Sequence, residues 1–136
     1  MYEFFEHTAD IGLRIRSADL NSLFAEAGKA LFSTIIDNLE AVQPIETYRF
    51  QVATDRLDDL LHDWLDELLF AFNTKHIAAV EFSVQVRAGE LEAVVRGEPF
   101  VRSRHDVSVE VKAITYHGLR VEREDDGWLA EVILDI

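Results

Sequence analysis

Residues 57–72 read LDDLLHDWLDELLFAF, and this stretch says most about the fold. Its apolar residues recur every three or four positions, and in places they cover well over half of a helix circumference, which predicts a deeply buried α-helix. Trp64 lies midway along the apolar stripe. Thr54 and Asp55, just before the stretch, are predicted to cap the helix N-terminus. The polar stripe that remains is acidic and consists of Asp58, Asp59, Asp63, Asp66 and Glu67.

The segment before this helix predicts a strand, a helix and a second strand. Apolar and polar residues alternate over residues 11–15, as expected for a strand with one buried face. Asp19 then stands at an N-cap position, and apolar residues follow at helical spacing until about Asp37 and Asn38. Residues 48–52 alternate again and predict a short strand.

The segment after this helix carries only strand signals from residue 80 onward. Ala88–Gly89, His117–Gly118 and residues 125–127 are predicted turns. The strands predicted around them cover residues 82–86, 91–95, 107–111, 119–121 and 128–136, the last of them apolar on nearly both faces and therefore central in the sheet. This order predicts an α+β fold with one domain over residues 1–136, both helices packing on one face of a mainly antiparallel mixed sheet.

Composition excludes several classes of function. The chain has no cysteine, which rules out disulfides, zinc–thiolate sites and thiol catalysis. The formal net charge of −13 argues against tight direct RNA or DNA binding, because phosphate capture needs clustered Lys and Arg. No apolar run is long enough to cross a membrane, and the N-terminus does not resemble a signal peptide, so we expect a cytoplasmic protein without membrane contacts.

Motifs with a known chemistry are scarce. Glycine-rich nucleotide loops and the Gly-x-Ser-x-Gly elbow are absent from the sequence. His62 and His76 are interpreted as surface residues and not as ligands. Two places stand out, residues 7–10 (HTAD) and residues 132–136 (VILDI). Taken alone, the first fits a strand-entry turn and the second a charge at a frayed chain end, and these structural explanations are favoured there.

The C-terminal stretch nevertheless carries a possible cation site. Asp135 is adjacent to the α-carboxylate of Ile136, so two anionic groups meet. A third carboxylate nearby would favour a hard divalent cation, which relieves the repulsion between them. Ligands that are all oxygen suit Ca²⁺, Mg²⁺ or Mn²⁺ better than zinc or copper.

Four ordered blocks of sequence resemble the archease family. They are residues 5–13 (FEHTADIGL), residues 61–70 (LHDWLDELLF), residues 104–105 with 110–119 (RH and EVKAITYHGL), and residues 132–136 (VILDI). The chain departs from the family at residues 106–109 (DVSV), where relatives commonly have a glycine-containing loop. This departure affects the expected geometry of the loop that leads to Lys112, but it does not affect the resemblance to the family.

The resemblance implies an α+β accessory protein that is not itself an enzyme. Archeases act with the RtcB-type RNA ligase, which attaches GMP to its own histidine before it seals tRNA halves and repaired RNA. They accelerate this guanylylation and permit multiple turnover, through a bound divalent metal.

The resemblance also implies roles for individual residues. Asp10, Asp135 and the Ile136 carboxylate match the metal site, and Lys112 matches a lysine needed for activation. His7, His105 and His117 also lie in matching motifs, but the resemblance assigns them no step in the activation of the ligase.

We expect Lys112 on the polar face of a strand, together with Ser108 and Glu110. Its structural alternative is an ordinary surface ion pair with Glu110 or another acid.

Two other functions stay open. The carboxylates around a cation could activate water, as in a metal-dependent hydrolase or phosphotransferase, although no convincing general base accompanies them. A chaperone-like partner of a tRNA methyltransferase is the second alternative, since this role has been suggested for archease relatives.

Overall fold

The computed structural model describes residues 1–7 and 10–136 and, for Glu6 and His7, the backbone alone. In chain order the elements are β1 (Tyr2–His7), β2 (Asp10–Ser17), α1 (Leu20–Ile35), a 3-10 helix (Leu39–Ala41), β3 (Glu46–Ala53), α2 (Leu57–Lys75), β4 (Ile77–Arg87), β5 (Glu90–Pro99), β6 (Ala113–Ile114), β7 (Arg120–Glu124) and β8 (Gly127–Asp135). None of the helices within these described ranges is long and apolar enough to cross a membrane.

The strands form two sheets. One has the order β1-β2-β8-β6, with β7 also paired to β8, and the other has the order β3-β5-β4. Every strand pairing among the described residues is antiparallel. The predicted α+β class and the central position of the last strand are therefore confirmed, although two sheets replace the expected single mixed sheet. Both helices contact strands of both sheets.

Helix α1 begins as the sequence predicts. Asp19 Oδ1 accepts a hydrogen bond of 2.8 Å from the backbone N–H of Ser22, which satisfies one of the free donors of the first turn. The helix ends at Ile35, slightly earlier than expected, because Ile36 is extended and forms a β-bridge with Val107.

Helix α2 is deeply buried, as its apolar pattern predicts, but its N-terminus differs from the prediction. Arg56 occupies the N-cap position without a side-chain hydrogen bond. Thr54 lies two residues before the N-cap, and its N–H donates to the Gly89 carbonyl and continues the pairing of β3 beyond its end. The helix stops at Lys75, where His76 adopts a left-handed conformation with φ of 55°.

The turns agree with the sequence better than two of the strands do. Gly89 and Gly118 have φ values of 75° and 61°, in the region that favours glycine in turns. Strand β1 was not foreseen. The predicted strand over residues 107–111 is wrong: within the described chain this segment pairs only through the bridge at Val107, which is exposed.

Candidate metal centre

The pairing of β2 with β8 places two carboxylates opposite each other. Asp10 is the register partner of Asp135, and Asp135 also pairs with Ala113 of β6. Side chains of directly opposed residues share a face of the sheet, with Cβ atoms about 4.5–5.5 Å apart. Asp10 and Asp135 are both partly exposed. The structure therefore brings together the two aspartates that the sequence places near opposite ends of the chain.

The pair Asp10–Asp135 forms one cross-strand row on this face of the sheet. A second row on the same face carries opposite charges instead of like charges. Arg14 lies opposite Glu131, and its Nε donates to the Glu131 carboxylate, which also accepts a bond of 2.7 Å from Arg120 Nε. Partial burial would raise the pKa of Glu131, but the bonds from Arg120 and Arg14 outweigh it and lower this pKa. Opposite charges stabilise this row, whereas like charges face each other at Asp10 and Asp135.

The candidate centre has few side-chain ligands. Among the described side chains, those of residues 1–5 and 10–136, no group of three or more His, Asp or Glu converges as a metal site. Ile136 follows Asp135 directly and is half-buried. Its α-carboxylate would have to complete the set, and metal binding at this row stays a prediction.

Lys112 lies beside this row, but not in a strand. Its backbone N–H donates to the Asp135 carbonyl at 2.8 Å, one residue before β6 begins. Ser108, Glu110 and Lys112 are all exposed, yet they do not form the polar face of one strand as expected. The expected alternative, an ion pair with Glu110, is also absent, since no described carboxylate pairs with the Lys112 ammonium.

The three histidines of the family motifs lie in different settings. His7 is the register partner of Asp10, but its side chain lies outside the described residues, as do Thr8 and Ala9. His117 is exposed in the turn before β7, where its N–H donates to Thr115 Oγ1. His105 is 1% exposed and contacts Glu98 of the other sheet. The structure therefore brings neither His105 nor His117 into the Asp10–Asp135 row.

His105 belongs to a buried polar cluster that sequence reasoning missed. Glu98 is 2% exposed and accepts hydrogen bonds from Arg104, from the Gln43 backbone N–H and from His105 Nε2. His105 Nδ1 accepts from the Val101 backbone N–H at 2.9 Å, so the ring proton is on Nε2 and points at Glu98. Burial alone would raise the pKa of Glu98, but these donors outweigh it and lower the pKa to about 2. This arrangement holds the loop after β5 and does not resemble a catalytic site.

The lowered pKa of Glu98 predicts a loss of stability in acid. A carboxylate with a depressed pKa in the folded state contributes stability above its ordinary value of 4.5, and this contribution disappears as the pH falls toward about 2. We expect Glu98→Gln to abolish that part of the pH dependence of the free energy of unfolding. Urea denaturation at several pH values measures it, with the exposed Glu92→Gln as the control. Identical pH profiles for the parent and Glu98→Gln would contradict the assignment.

His62 is not a surface residue, contrary to the sequence-based interpretation. It is 8% exposed, and its Nε2 lies 3.0 Å from the Ile114 carbonyl oxygen. Its ring stacks on Tyr116 with a centroid distance of 3.9 Å. Desolvation, together with the carboxylates of Asp63, Asp59 and Asp66, raises the pKa of Tyr116. His76, in contrast, is exposed as expected.

Comparison with known proteins identifies the family. The model of the Archease protein family matches residues 2–136. The chain belongs to the archease family. It is 40% identical to the archease of Methanopyrus kandleri over 99% of both chains. It is also 38% identical to the archease of Methanosarcina acetivorans, over 99% of this chain and 95% of the relative. The family that the four sequence blocks indicate is thus confirmed.

Solved structures agree on the fold. The solution structure of Methanobacterium thermoautotrophicum protein 1598 superimposes with a TM-score of 0.87 at 34% identity, covering 99% of this chain and 98% of that one. A Thermotoga maritima archease, described as a possible chaperone, gives a TM-score of 0.65 over 100% of this chain and 98% of that chain. At 23% identity this second likeness supports the fold alone.

Proposed function

We propose that this protein is a metal-binding accessory factor that activates an RtcB-type RNA ligase in the cytoplasm. It would promote GTP-dependent guanylylation of the ligase and allow multiple turnover, without being an enzyme itself. The observation that carries the proposal is the cross-strand pair Asp10–Asp135, with Lys112 bonded to the backbone of Asp135. These three residues come from three separate family blocks that the fold assembles at one sheet position.

The donor chemistry of the pair fits a hard cation. Two aspartates that face each other repel, and a divalent cation converts this repulsion into attraction. Asp10, Asp135 and the Ile136 α-carboxylate would hold Ca²⁺, Mg²⁺ or Mn²⁺, since all three groups offer oxygen ligands. The cation would supply positive charge at the sheet edge next to Lys112.

The overall charge supports a protein partner over RNA. With a net charge of −13 the surface repels phosphate backbones but complements a ligase with a basic RNA-binding groove. We therefore propose that the ligase makes all tight contacts with RNA, and that this protein contacts the ligase.

The first test concerns cation binding. We expect Asp10→Asn and Asp135→Asn to weaken Mn²⁺ or Ca²⁺ binding strongly while the fold is kept, because each removes one anionic ligand. Asp125→Asn, in the exposed turn before β8, is the matched control. Residues appended after Ile136 should also weaken binding, since they replace its α-carboxylate by an amide. Unchanged cation affinity in both aspartate variants, measured by calorimetric titration, would refute the site.

The second test separates the accessory role from the alternatives. Purified protein is combined with ligase, GTP and RNA, and the ligation products are counted per ligase molecule. An accessory factor raises this number beyond one turnover, whereas a hydrolase turns over a small phosphoester without any ligase. A chaperone, the role suggested for the Thermotoga maritima relative, would increase the amount of folded client protein and leave the rate of guanylylation per folded ligase unchanged.

A further inference from the structure

His62 joins helix α2 to the segment that contains Lys112. Its Nε2 lies 3.0 Å from the carbonyl oxygen of Ile114, and its Nδ1 lies 2.9 Å from Asp63 Oδ1. The ring planes of His62 and Tyr116 are tilted by only 14°. One buried side chain thus holds two residues of the segment after Lys112 through two different kinds of contact.

The contacts of His62 determine how its ring is oriented. A carbonyl oxygen can only accept, so Nε2 carries a proton and donates to Ile114. The Asp63 carboxylate lies 2.9 Å from Nδ1, on the other side of the ring. Tyr116 stacks on the face of the ring. The donor to Ile114 is therefore fixed in direction by its neighbours on both sides.

Val111 and Ile114, on either side of Lys112, are buried in the core, but the segment has few hydrogen bonds near Lys112. Strand β6 contains only Ala113 and Ile114, which pair with Asp135 and Leu134. Two further backbone bonds, from the N–H groups of Lys112 and Thr115, also reach β8. All of these bonds attach the segment to β8, whereas the described hydrogen bond between His62 and the Ile114 carbonyl attaches it to α2. Two attachments on different elements restrict both sliding and rotation of a short strand.

We propose that His62 is a positioning residue for activation, which sets the place of Lys112 relative to the Asp10–Asp135 row. It acts through the backbone of Ile114 and the ring of Tyr116, and it touches neither the cation nor the ligase substrate. This inference rests on the proposed function for its effect on the ligase, but not for its effect on the segment.

Three variants test the proposal. His62→Phe keeps an aromatic face for Tyr116 and removes both hydrogen bonds, while His62→Gln keeps a donor for the Ile114 carbonyl and loses the stacking. Tyr116→Leu removes the stacking from the exposed side, where Tyr116 is 62% exposed, so the fold should tolerate it. His76→Gln, at the exposed end of the same helix, is the control.

The first readout is hydrogen exchange at the amides of Lys112 and Thr115. We expect faster exchange in His62→Phe, with unchanged exchange in the pairing of β2 with β8 and unchanged cation affinity. The second readout is ligase guanylylation as a function of accessory protein concentration. Maximal stimulation should fall by up to about 100-fold, as for a misplacement of about 1 Å, and the half-saturating concentration should change little. His62→Gln and Tyr116→Leu should retain part of the stimulation.

The outcomes distinguish this inference from the function on which it rests. Parental exchange rates at Lys112 and Thr115 in His62→Phe would overturn the positioning role, as would undiminished stimulation. Equal loss of stability, cation binding and stimulation in all three variants would also overturn it, because His62 would then be only a core residue. If the parent itself does not stimulate the ligase, the proposed function fails, and hydrogen exchange still decides whether His62 holds the segment.

Discussion

Replacing Trp64 by alanine is expected to lower the free energy of unfolding by about 3–5 kcal/mol, as other large-to-small core substitutions do. The side chain is fully buried in the described structure. Its indole Nε1 donates to the Phe24 carbonyl of α1 at 2.9 Å, and its ring meets Phe50 and Phe82 edge-on. The substitution would open a cavity where α2 meets α1, β3 and β4. Such a loss is comparable to the whole stability margin of a small domain.

Urea denaturation of Trp64→Ala measures this loss directly. Trp64→Phe fills most of the cavity and gives up the hydrogen bond to Phe24, so its loss should be smaller. Trp128→Ala is the matched control, because Trp128 is only partly buried and lies under Arg123 at the start of β8. An alanine variant at position 64 that melts within a few degrees of the parent would contradict the packing described for α2.

Replacing Lys112 by alanine is expected to abolish ligase activation while the fold and the cation site are kept. Lys112 is exposed and has no described ion-pair partner, so its loss should cost less than about 1 kcal/mol of stability. In guanylylation, negative charge builds on phosphate oxygens as pyrophosphate leaves, and an ammonium placed beside those oxygens would stabilise that charge. A loss of about 100-fold or more in stimulation is expected, by analogy with the removal of one such electrostatic group.

Lys112→Arg separates charge from position. Arginine restores the positive charge, but its longer planar head places it differently, so we expect partial rescue. Lys29→Ala, an exposed lysine on α1, is the control and should stimulate like the parent. If the ligase is guanylylated as fast with Lys112→Ala as with the parent, Lys112 is an ordinary surface lysine.

The sequence predicts best those elements that have a long apolar pattern or a stabilising contact between residues close in sequence. Helix α2 repeats its apolar spacing over several turns, and Asp19 caps α1 through its own side chain. Strand β1 was missed because Phe5 interrupts the alternation that Tyr2, Glu3 and Phe4 begin. Residues 107–111 alternate well, yet they form no strand because no described neighbour pairs with them beyond Val107. Pairing is a tertiary property, and alternation alone does not supply it.

The residues of the candidate site could be named from the sequence, but the buried contacts of His62 and Glu98 could not. Asp10 and Asp135 are predicted as metal ligands by the resemblance to the family, and the register of β2 with β8 places them opposite each other. His62 was interpreted as a surface residue, since one histidine on an acidic helix stripe carries no signal of burial. The residues that it contacts, Ile114 and Tyr116, are distant in sequence. Glu98 was missed for the same reason, because its partners Arg104, His105 and Gln43 come from two loops.

The central claim is that a cation held at the Asp10–Asp135 row is what the ligase requires. The most direct measurement is the amount of guanylylated ligase formed with a substoichiometric amount of this protein, at increasing Mn²⁺ concentration. We predict that each molecule of the parent supports guanylylation of several ligase molecules, and that Asp135→Asn does so only at much higher Mn²⁺ or not at all. Equal stimulation by the parent and Asp135→Asn at every Mn²⁺ concentration, or no stimulation by the parent, would contradict the claim.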